Sequence, residues 1–563
     1  MTSLSGLEWS VQRRGPRALF DALPDVPALA VQILHNRGVT TPEGILEFVE
    51  GPLPPHDPYL LDGMEAAVQR LARAARTRER ICVYTDFDVD GVASAAVLVE
   101  AFARIGCRAF AYIPERVAEG YGLNAAAIDT VKADGATLLV TADCGASSAV
   151  EIAHAAASGL DVIVTDHHHA DGTTTAALAT LNPNRPGAGY PFAGLAGVGV
   201  AYKLVQALAE EFSERLPSPE DLLDLVALGT VADQAPMRDE NRTLVAHGLE
   251  VLRQSPRPGL QALAGVTGRP LAEADVESIG YAYAPRLNAA GRLAHAHVAL
   301  ELLQSEHPIR AEELAQQLDT LNHERRQLTE DVVAHARAQV DAASGLAFAV
   351  GDDYAPGITG LAAARLAAET GLPAFVGTVR NGVVRGSARA PVGVHLAELL
   401  GRYANLLIQF GGHARAAGFT VARANVAPLR TALAAELSRP DLRARLGPKL
   451  LVDCRLYPAT VSWETYQTIA ALGPYGESHE PPRFAVENVA VDQARAVGQR
   501  HVALQFAELG AEVDAIWFGA GDARAQLTPG RRVDVAFRLG VRVFRGAERL
   551  QLLVDDICLV GPS

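Results

Sequence analysis

The stretch Thr85–Gly91, TDFDVDG, follows the apolar run ICVY (81–84) and precedes a segment of helical composition. Its three carboxylates, Asp86, Asp88 and Asp90, stand at every second position and repel one another unless cations neutralise them. A solvated acidic turn and a calcium loop of the D-x-D-x-D-G kind are the alternatives. The calcium loop needs a bidentate Glu later in the loop, whereas this chain continues with the apolar VASAAVLVE. The stretch therefore predicts a strand–loop–helix unit with an acidic loop.

Three further segments place polar side chains after apolar runs that we predict to be β-like. Asp143 follows TLLVT, Asp166 and three histidines follow DVIVT, and Asp233 follows the apolar part of LGTVADQAPM. Because ligands of open α/β sheets bind at the carboxyl ends of the strands, we expect the four segments to meet at one edge. Taken singly, an Asp after a strand is more typical of a helix N-cap, and a His triplet is often ordinary surface.

The chemistry of these side chains narrows the kind of ligand. Asp oxygens combined with one or two imidazoles suit Mn²⁺ or Mg²⁺ better than Zn²⁺, which favours more Cys and His. Two such ions, roughly 3.5–4 Å apart, clamp both the attacking and the leaving oxygen of a phosphoryl transfer. The pattern therefore predicts a site for two divalent cations.

The surrounding sequence predicts an α/β protein with a β-rich end. Short apolar strands alternate with helical segments such as 93–106 and 147–159, which is typical of a parallel sheet. A long, charged helical pattern covers about 295–345, and a second α/β segment runs from 346 to about 436. Beyond Arg439-Pro440 short alternating strands are split by Gly and Pro turns, which predicts a small barrel or sandwich.

Composition excludes several classes of protein. The 563 residues are 49% hydrophobic and 20% charged, which allows a large buried core and excludes global disorder. The formal net charge of −15 excludes a general nucleic-acid coat, so any nucleic acid must bind at local basic patches. The five cysteines form no CxxC pair, which argues against a zinc ribbon or a disulfide framework and fits a reducing compartment. Without a secretory signal or a membrane-spanning run, we expect a soluble, cytoplasmic protein with no membrane partner.

Taken in order, TDFDVDG, TADCG, TDHHH and TVADQAP resemble the four motifs of the DHH phosphoesterase superfamily. Downstream motifs narrow the resemblance to the RecJ family of 5′→3′ exonucleases that degrade single-stranded DNA. They are APRLNAAGRL (284–293), YAPGITGLAAARL (354–366), RGSARAP (385–391) and GGHARAAGFTV (411–421), the last three resembling the DHHA1 domain. The fold implied is α/β, with a DHH parallel-sheet domain and a DHHA1 α/β domain joined by a long helix, and a C-terminal β-barrel of the OB-fold type.

The resemblance divides the chain into five parts. We expect an N-terminal lead-in at 1–75, a DHH catalytic domain at 76–240 and a helical connector at 241–344. A DHHA1 domain follows at 345–436 and an OB-fold DNA-binding domain at 448–560.

The resemblance also assigns roles to the acidic loops. The residues that match the metal ligands of the family, which holds two Mn²⁺ ions with Mg²⁺ as the alternative, are Asp88, Asp90, Asp143, His167 and Asp233. His168 matches the second histidine of the motif, beside the scissile phosphate, where it would donate to a phosphate oxygen or protonate the leaving group. Asp86 and Asp166 match acidic positions without an assigned role, although Asp166 is a candidate to orient an imidazole.

An exonuclease that starts from a 5′ end needs groups for the terminal phosphate, and guanidinium and hydroxyl donors suit it. The positions that match those of the family are Arg116, Arg292, Ser387 and Arg389. Tyr121 is a candidate to stack on an unpaired base. A surface salt bridge is the alternative role for each arginine, and a core or rim position the alternative for Tyr121.

The chain departs from the family pattern at several positions. Phe87 replaces the usual Tyr, and Ser478-His479 stands where Gly-Asn is usual.

In the β-rich end, arginines cluster near Phe537 and Phe544, which predicts a basic groove with aromatic platforms or an ordinary solvated sheet face. The arginines are Arg531, Arg532, Arg538, Arg542, Arg545 and Arg549.

The leading hypothesis is a two-metal exonuclease that removes nucleotides from the 5′ end of single-stranded DNA, in DNA repair and recombination. A helicase that unwinds ahead of it, or a single-strand-binding protein, is the implied partner. A DHH-family nuclease for short oligonucleotides or cyclic dinucleotides is the alternative, and the OB-like segment and chain length argue against it. A catalytically dead scaffold would have lost carboxylates or the His pair, whereas this chain keeps them.

Overall fold

The computed structural model describes residues 2–51, 53–116, 118–170, 172, 175–341, 344–510, 512–544 and 546–560. The chain divides into two units, both of them discontinuous in sequence. The first unit consists of Met1–Gly51, Thr329–Gly473 and Glu480–Ser563, and the second consists of Pro52–Leu328 and Pro474–His479.

The helices are, in chain order, α1 (Arg17–Asp21), α2 (Ala28–Asn36), α3 (Pro42–Glu50), α4 (Met64–Thr77), α5 (Val89–Arg104), α6 (Ala125–Ala133), α7 (Ala149–Ala157), α8 (Gly197–Glu211), α9 (Leu223–Ala232), α10 (Asp239–Arg253), α11 (Pro258–Thr267), α12 (Ala284–Leu293), α13 (His297–Gln304), α14 (Pro308–Arg337), α15 (Thr359–Thr370), α16 (Leu396–Gly401), α17 (Val426–Leu437), α18 (Pro440–Arg443) and α19 (Trp463–Ala470). A π-helical turn at Ser278–Tyr283 precedes α12.

The strands are β1 (Thr2–Ser3), β2 (Glu8–Val11), β3 (Arg80–Thr85), β4 (Arg108–Tyr112), β5 (Leu138–Ala142), β6 (Asp161–Thr165), β7 (Ala179–Leu181), β8 (Ala347–Gly351), β9 (Ala374–Arg380), β10 (Val383–Arg389), β11 (Gln409–Gly412), β12 (Ala416–Ala422), β13 (Lys449–Val452), β14 (Cys454–Arg455), β15 (Phe484–Val497), β16 (His501–Phe506), β17 (Asp514–Trp517), β18 (Arg532–Phe544) and β19 (Ala547–Leu559).

The second unit is built on a five-stranded, all-parallel sheet in the order β4-β3-β5-β6-β7. Its central strands read as continuous apolar runs because helices cover both faces. Ile81 and Val83 of β3 belong to the core formed with α4, α5, α8 and α9. Cys82 and Tyr84 belong to the opposite core, formed with α6 and α7. The strands predicted from ICVY, TLLVT and DVIVT are confirmed as β3, β5 and β6.

The apolar run before Asp233 is a helix, so the prediction of a β-like run there was wrong. In α9 every residue from Leu223 to Val231 is buried. A helix that is apolar all round shows no amphipathic period, and short apolar runs of this kind cannot be assigned to strand or helix from pattern alone. Asp233 is consequently a helix C-cap rather than a residue at a strand end.

The first unit contains a mixed five-stranded sheet and a closed barrel. The mixed sheet has the order β11-β12-β10-β9-β8, in which only β8 and β9 are parallel. In the barrel β15, β16, β17, β19 and β18 pair in succession, and β18 pairs back to β15. The N-terminal strand β1 adds to the barrel at β19, and β2 pairs with β13. The predicted fold class, α/β with a C-terminal β-barrel, is confirmed.

The predicted aromatic platform at Phe537 is wrong, because this ring is fully buried in the barrel. Three of the clustered arginines face carboxylates: Arg532 pairs with Glu508, Arg538 lies 3.4 Å from Asp555 and Arg542 lies 3.8 Å from Asp514. Arg545 and the side chain of Phe544 lie outside the described residues. The basic surface is therefore partly neutralised by the acidic residues of the same barrel.

The long helical pattern near 295–345 corresponds to α13 and α14. The 30 residues of α14 begin in the second unit and end in the first, as the resemblance predicts for a connecting helix. Charged side chains recur along its length, among them Arg310, which pairs with Glu301 and Glu313. No helix within the described ranges is both long enough and apolar enough to cross a bilayer.

A buried ion pair joins α8 to α10 in the second unit. Lys203 and Glu240 both have fully buried side chains, with Nζ 2.7 Å from Oε1. The Lys203 ammonium also donates to the carbonyl of His56, and the Tyr190 hydroxyl donates to the other Glu240 oxygen at 2.5 Å. Burial lowers the pKa of Lys203, although Glu240 opposes that shift. Such a pair is costly to break because the remaining charge stays buried.

We predict that Glu240→Ala lowers the free energy of unfolding of this unit by about 3–5 kcal/mol, because it strands the Lys203 ammonium. The double variant Lys203→Met with Glu240→Leu is expected to lose much less, since neither charge remains. Calorimetric unfolding of the three proteins under one condition measures both. Equal losses in the single and double variants would contradict this account.

Candidate metal centre

The carboxyl ends of three neighbouring strands bring the acidic loops together. In the sheet Thr85 of β3 pairs with Ala142 of β5, and Ala142 pairs with Thr165 of β6. The next residues along the chain, Asp86, Asp143 and Asp166, therefore leave the sheet at the same level. This is the edge at which the sequence predicted a ligand site.

The first loop is organised by its own carboxylates. Asp88 is the N-cap of α5, and its Oδ1 accepts hydrogen bonds from the N–H groups of Asp90 (3.0 Å) and Gly91 (3.2 Å). Asp86 Oδ1 accepts from the N–H of Asp88 at 3.1 Å. A Cβ atom at Gly91 would lie 2.2 Å from Asp86 Oδ1, so the turn requires glycine. Asp88 thus caps the helix, the ordinary role of such an Asp, and still lies within the acidic cluster.

The N-terminus of α8 binds the side chain of Asp90, the second residue of α5. The N–H groups of Gly197 and Val198 donate to the two oxygens of Asp90 at 2.7 and 2.9 Å. The free N–H groups and the dipole at a helix N-terminus favour a carboxylate in this position. A Cβ atom at Gly197 would lie 2.6 Å from Asp143 Oδ1. Glycine therefore lets α8 approach two carboxylates at once.

Asp166 organises the backbone of the histidine turn. Its Oδ1 accepts from the N–H groups of His167 (2.7 Å) and His168 (3.1 Å), and lies 2.8 Å from His168 Nδ1. Its Oδ2 accepts from the N–H of Ala146 at 2.7 Å. Asp166 thus orients the second imidazole, as the sequence analysis suggested, and also the peptide groups that carry both rings.

Two asparagines hold the carbonyl groups of the same turn. Asn184 Nδ2 donates to the carbonyl of His167 at 2.6 Å, and Asn182 Nδ2 donates to that of His168 at 2.8 Å. Asn182 Oδ1 accepts from the N–H of Asn184 at 2.7 Å. Asp166 accepts from the N–H groups of His167 and His168, and the two asparagines donate to their carbonyls. Every backbone polar group of the two histidines therefore has a partner, as is usual for backbone shielded from water.

Potential ligand atoms fall into three overlapping groups, and within each group they lie within 4.8 Å of one another. The first group has His167 in common with the second and Asp143 in common with the third, so the three describe adjacent positions rather than separate sites. They are Asp143, His167 and His168; Asp90, His167 and Asp233; and Asp86, Asp88 and Asp143. The structure therefore brings together all five predicted metal ligands, His168 and Asp86.

Two buried atoms at the centre of the cluster suit a cation. Asp143 Oδ1 and His167 Nε2 lie 3.1 Å apart, and neither has a hydrogen-bond partner among the described residues. Buried polar atoms without partners are rare and call for an explanation. A carboxylate oxygen beside an imidazole nitrogen is a donor set that Mn²⁺ and Mg²⁺ accept. The residues present fit a divalent cation.

The electrostatics of the cluster lead to the same conclusion. Burial, and then repulsion from neighbouring carboxylates, hold the pKa of Asp86, Asp143 and Asp233 well above the usual range. The same two causes raise the pKa of Asp90 to about 7. A bound divalent cation would be the largest local charge and would reverse this effect. The cluster is stable in its ionised form only with added positive charge.

The two imidazoles have different protonation behaviour. Burial, and then the charge of His168, lower the pKa of His167 to about 4, so this ring is neutral at pH 7, as a metal ligand must be. For His168 burial acts against the charged form, but the hydrogen bond and charge of Asp166 outweigh it and raise the pKa. His168 is therefore the ring that can carry and donate a proton.

Two candidate substrate-binding side chains, those of Arg116 and Tyr121, pack against the ring of Phe87. The Arg116 guanidinium lies over the Phe87 ring at 3.8 Å from its centroid. Tyr121 meets Phe87 edge-on at 6.3 Å and His168 at 5.9 Å, and is 57% exposed. A Cβ atom at Gly291 would lie 2.3 Å from the Phe87 carbonyl, so α12, which carries the half-buried Arg292, packs against this loop.

Arg116 forms no salt bridge with any described residue, and its buried Nε has no hydrogen-bond partner among them. Burial lowers the pKa of this guanidinium. The surface salt bridge considered as its alternative role is thus absent from the described residues.

Ser387 and Arg389 lie in the first unit, on one face of β10. Both approach the N-terminal turn of α15: a Cβ atom at Gly360 would lie 3.4 Å from Ser387 Oγ and 3.4 Å from Arg389 Nη2. Ser387 Oγ also lies 3.2 Å from Thr359 Oγ1. A hydroxyl, a guanidinium and a helix N-terminus together suit an anion.

Asn182, Asn184, Gly197 and the contacts of Phe87 with Arg116 and Tyr121 were not predicted from the sequence. The signals were present in LNPNRPG (181–187) and in LAGVGV (195–200), where glycines open a helix. Neither could be interpreted without knowing which strand ends are neighbours.

Three family models match the chain. The "DHH family, N-terminal domain" matches residues 80–230, the "DHHA1 domain" matches 343–439 and the "RecJ OB domain" matches 452–556. The matches follow one another without overlap. The first lies in the second unit of the structure, and the DHHA1 match lies in the first unit.

Curated relatives and a solved structure extend the similarity to almost the whole chain. The single-stranded-DNA-specific exonuclease RecJ of Bacillus subtilis is 34% identical over 98% of this chain and 71% of its own length. The protein of the same name from Escherichia coli is 34% identical over 97% of this chain and 98% of its own. The crystal structure of Thermus thermophilus RecJ in complex with Mn²⁺ superposes with a TM-score of 0.83 at 29% identity, covering 99% of this chain and 80% of that one. The chain therefore belongs to the RecJ family.

Proposed function

We propose that this protein is a metal-dependent exonuclease that degrades single-stranded DNA from its 5′ end by hydrolysing phosphodiester bonds, in DNA repair and recombination. The observation that carries the proposal is the cluster around Asp143 and His167. There, three groups of potential ligands overlap at Asp143 and at His167, and Asp143 Oδ1 and His167 Nε2 lack hydrogen-bond partners among the described residues. Membership of the RecJ family supplies the substrate class.

In this proposal Asp88, Asp90, Asp143, His167 and Asp233 hold two Mn²⁺ ions, with Mg²⁺ as the alternative. When bound, such ions activate water at neutral pH and neutralise charge on the phosphate. The chain's part is to hold the ligands in place: α8 fixes Asp90, Asp88 stays anchored as the cap of α5, and the asparagine pair fixes His167.

His168 is proposed to act on the scissile phosphate. Its Nδ1 faces Asp166, and its Nε2, which lies 3.4 Å from the Tyr121 hydroxyl, would donate a proton to a phosphate oxygen or to the leaving oxygen. The raised pKa of His168 keeps more of the ring protonated near neutral pH than an isolated histidine would be. Asp166 positions this group and stabilises its charged form.

The remaining candidates are proposed to bind the strand. Arg116 and Arg292 would bind the 5′-terminal phosphate, and Tyr121, with more than half of its surface exposed beside His168, would stack on an unpaired base. A base in a duplex is not free to stack in this way, which explains a preference for single strands. Ser387 and Arg389, at the N-terminus of α15, are likewise proposed to bind a DNA phosphate.

The proposed domains are a lead-in at 1–75, a DHH catalytic domain at 76–240, a connector at 241–344, a DHHA1 domain at 345–436 and an OB-fold domain at 448–560. A helicase or a single-strand-binding protein would supply unwound DNA in the cytoplasm. The alternative substrate, a short oligonucleotide or cyclic dinucleotide, gives no role to the barrel that matches the RecJ OB domain.

We predict that Asp143→Ala lowers the rate of single-strand degradation by at least about 100-fold, because losing even an outer partner of a metal ligand costs 10–100-fold. The assay uses Mn²⁺ and an oligonucleotide labelled at its 3′ end, beside a blunt duplex. Wild-type protein should shorten the single strand from the 5′ side and leave the duplex intact.

Asp134→Ala is the matched control, since this exposed Asp ends α6 away from the cluster. It should degrade DNA as wild type does. Cleavage of dinucleotides without degradation of the long strand would instead support the alternative substrate.

We predict that Asn184→Ala weakens Mn²⁺ binding about tenfold, because the carbonyl of His167 loses its donor and the imidazole its fixed direction. Calorimetric titration of Mn²⁺ without DNA measures this. Asn425→Ala is the matched control, because Asn425 also donates to a backbone carbonyl, that of Leu406, but in the first unit. Unchanged Mn²⁺ affinity in Asn184→Ala would contradict the assigned role.

We predict that Arg116→Ala raises KM about tenfold or more on strands with a 5′ phosphate and much less on strands with a 5′ hydroxyl. A hydrogen bond to a charged group contributes about 1.5–3 kcal/mol. The 5′ phosphate is a charged acceptor for the Arg116 guanidinium, whereas a 5′ hydroxyl is neutral. Arg108→Ala, at the exposed start of β4, serves as control. An equal rise on both substrates would remove Arg116 from the 5′-end pocket.

A further inference from the structure

The turn that carries Asp233 holds an unfavourable backbone conformation. The helix α9 ends at Ala232, and the Ala235 N–H donates to the Thr230 carbonyl at 3.2 Å. Gln234 and Asp239 both have left-handed φ values, 59° and 50°. A residue with a side chain adopts this conformation only at a cost in free energy, so it persists where surrounding contacts hold it.

A segment distant in sequence supplies such contacts. Residues Pro474–His479, which we call the strap, lie between two stretches of the first unit but belong to the second. The strap is a tight turn, closed by hydrogen bonds from Gly476 N–H to the His479 carbonyl (3.0 Å) and from His479 N–H to the Gly476 carbonyl (3.2 Å). His479 is 2% exposed and stacks on Tyr475, with ring centroids 4.8 Å apart.

The strap contacts the Asp233 turn at Met237. The Met237 N–H donates to the Glu477 carbonyl at 2.7 Å, and the Met237 side chain is almost fully buried. A Cβ atom at Gly476 would lie 2.9 Å from Met237 Cε and 3.0 Å from its Cβ, which measures how closely the two turns pack. The strap therefore fixes the residue four positions after Asp233.

A second contact joins the same turn to the loop before α8. Asn241 Nδ2 donates to the carbonyls of Pro236 (3.1 Å) and Gly194 (2.7 Å). The loop that begins at Gly194 leads into the N–H groups that bind Asp90. The Asp233 turn is thus held on one side by the catalytic unit's own loop and on the other by the strap.

We infer that the strap is a positioning element for Asp233: by holding Met237, it fixes the strained turn so that the carboxylate stays within the cluster around His167. The inference rests on the proposed metal centre. It assigns a positioning role at the metal centre to residues of the C-terminal half of the chain. The strap keeps its own shape although Ser478 has a left-handed φ of 63°, a conformation that glycine would adopt without strain.

The test is Gly476→Ala, whose methyl group would push the strap away from Met237. Calorimetric titration of Mn²⁺ without DNA should show affinity about tenfold weaker than wild type. Without metal, Gly476→Ala should bind a single-stranded oligonucleotide as tightly as wild type does. At a fixed Mn²⁺ concentration its kcat should therefore fall while its KM for DNA stays unchanged. Gly265→Ala, a helical glycine with open space around it in the same unit, is the control and should bind Mn²⁺ as wild type does.

A second variant, Ser478→Gly, tests the strap without destabilising the fold. It removes the left-handed strain of the strap and should raise Tm while leaving Mn²⁺ affinity at least as high as in wild type. If Gly476→Ala lowers Tm but binds Mn²⁺ with wild-type affinity, the strap has only a structural role and the inference is overturned. If wild-type protein itself binds no Mn²⁺, the proposed metal centre fails instead.

Discussion

Mutual repulsion among buried and half-buried carboxylates is the constraint that the fold of the second unit must satisfy. Asp86, Asp88, Asp90, Asp143 and Asp233 lie in overlapping groups with ligand atoms within 4.8 Å. Burial removes the water that would otherwise screen them. Such a cluster can form only where rigid elements hold each carboxylate against repulsion, and it can ionise only beside cations.

The supporting contacts come mainly from backbone groups, which cannot move independently of the fold. Helix N-termini bind Asp88 and Asp90, and glycines at 91 and 197 let main chain approach the carboxylates closely. Asp166 and the asparagine pair fix the histidine turn from opposite sides. The geometry of the site is therefore set by helix starts, by strand ends and by the loop that follows β7.

The parts of this architecture that follow local pattern could be predicted from sequence. Continuous apolar runs identified β3, β5 and β6, and the rule that parallel strands end at one edge located the acidic loops. Asp233 could be named as a ligand through family resemblance, but its helix could not be recognised, since α9 is apolar on every face. Asn182 and Asn184 act on carbonyls contributed by another loop, and no periodicity encodes such a contact. Phe537 shares the period-2 face of Val533, Val535 and Leu539, so the alternation in β18 already places it inside the barrel, and the platform hypothesis overlooked that face.

The N-terminal strand β1 has a consequence for biosynthesis. Thr2 and Ser3 pair with Leu559 and Cys558, and Trp9 donates to Asp556, so these contacts join residues more than 540 positions apart in sequence. At about 5–20 residues per second, their partners appear on the order of a minute later. The continuous stretch of the second unit, 52–328, is complete well before that time. The order of synthesis therefore favours formation of most of the second unit first, with the barrel closing onto β1 only after β19 has been made.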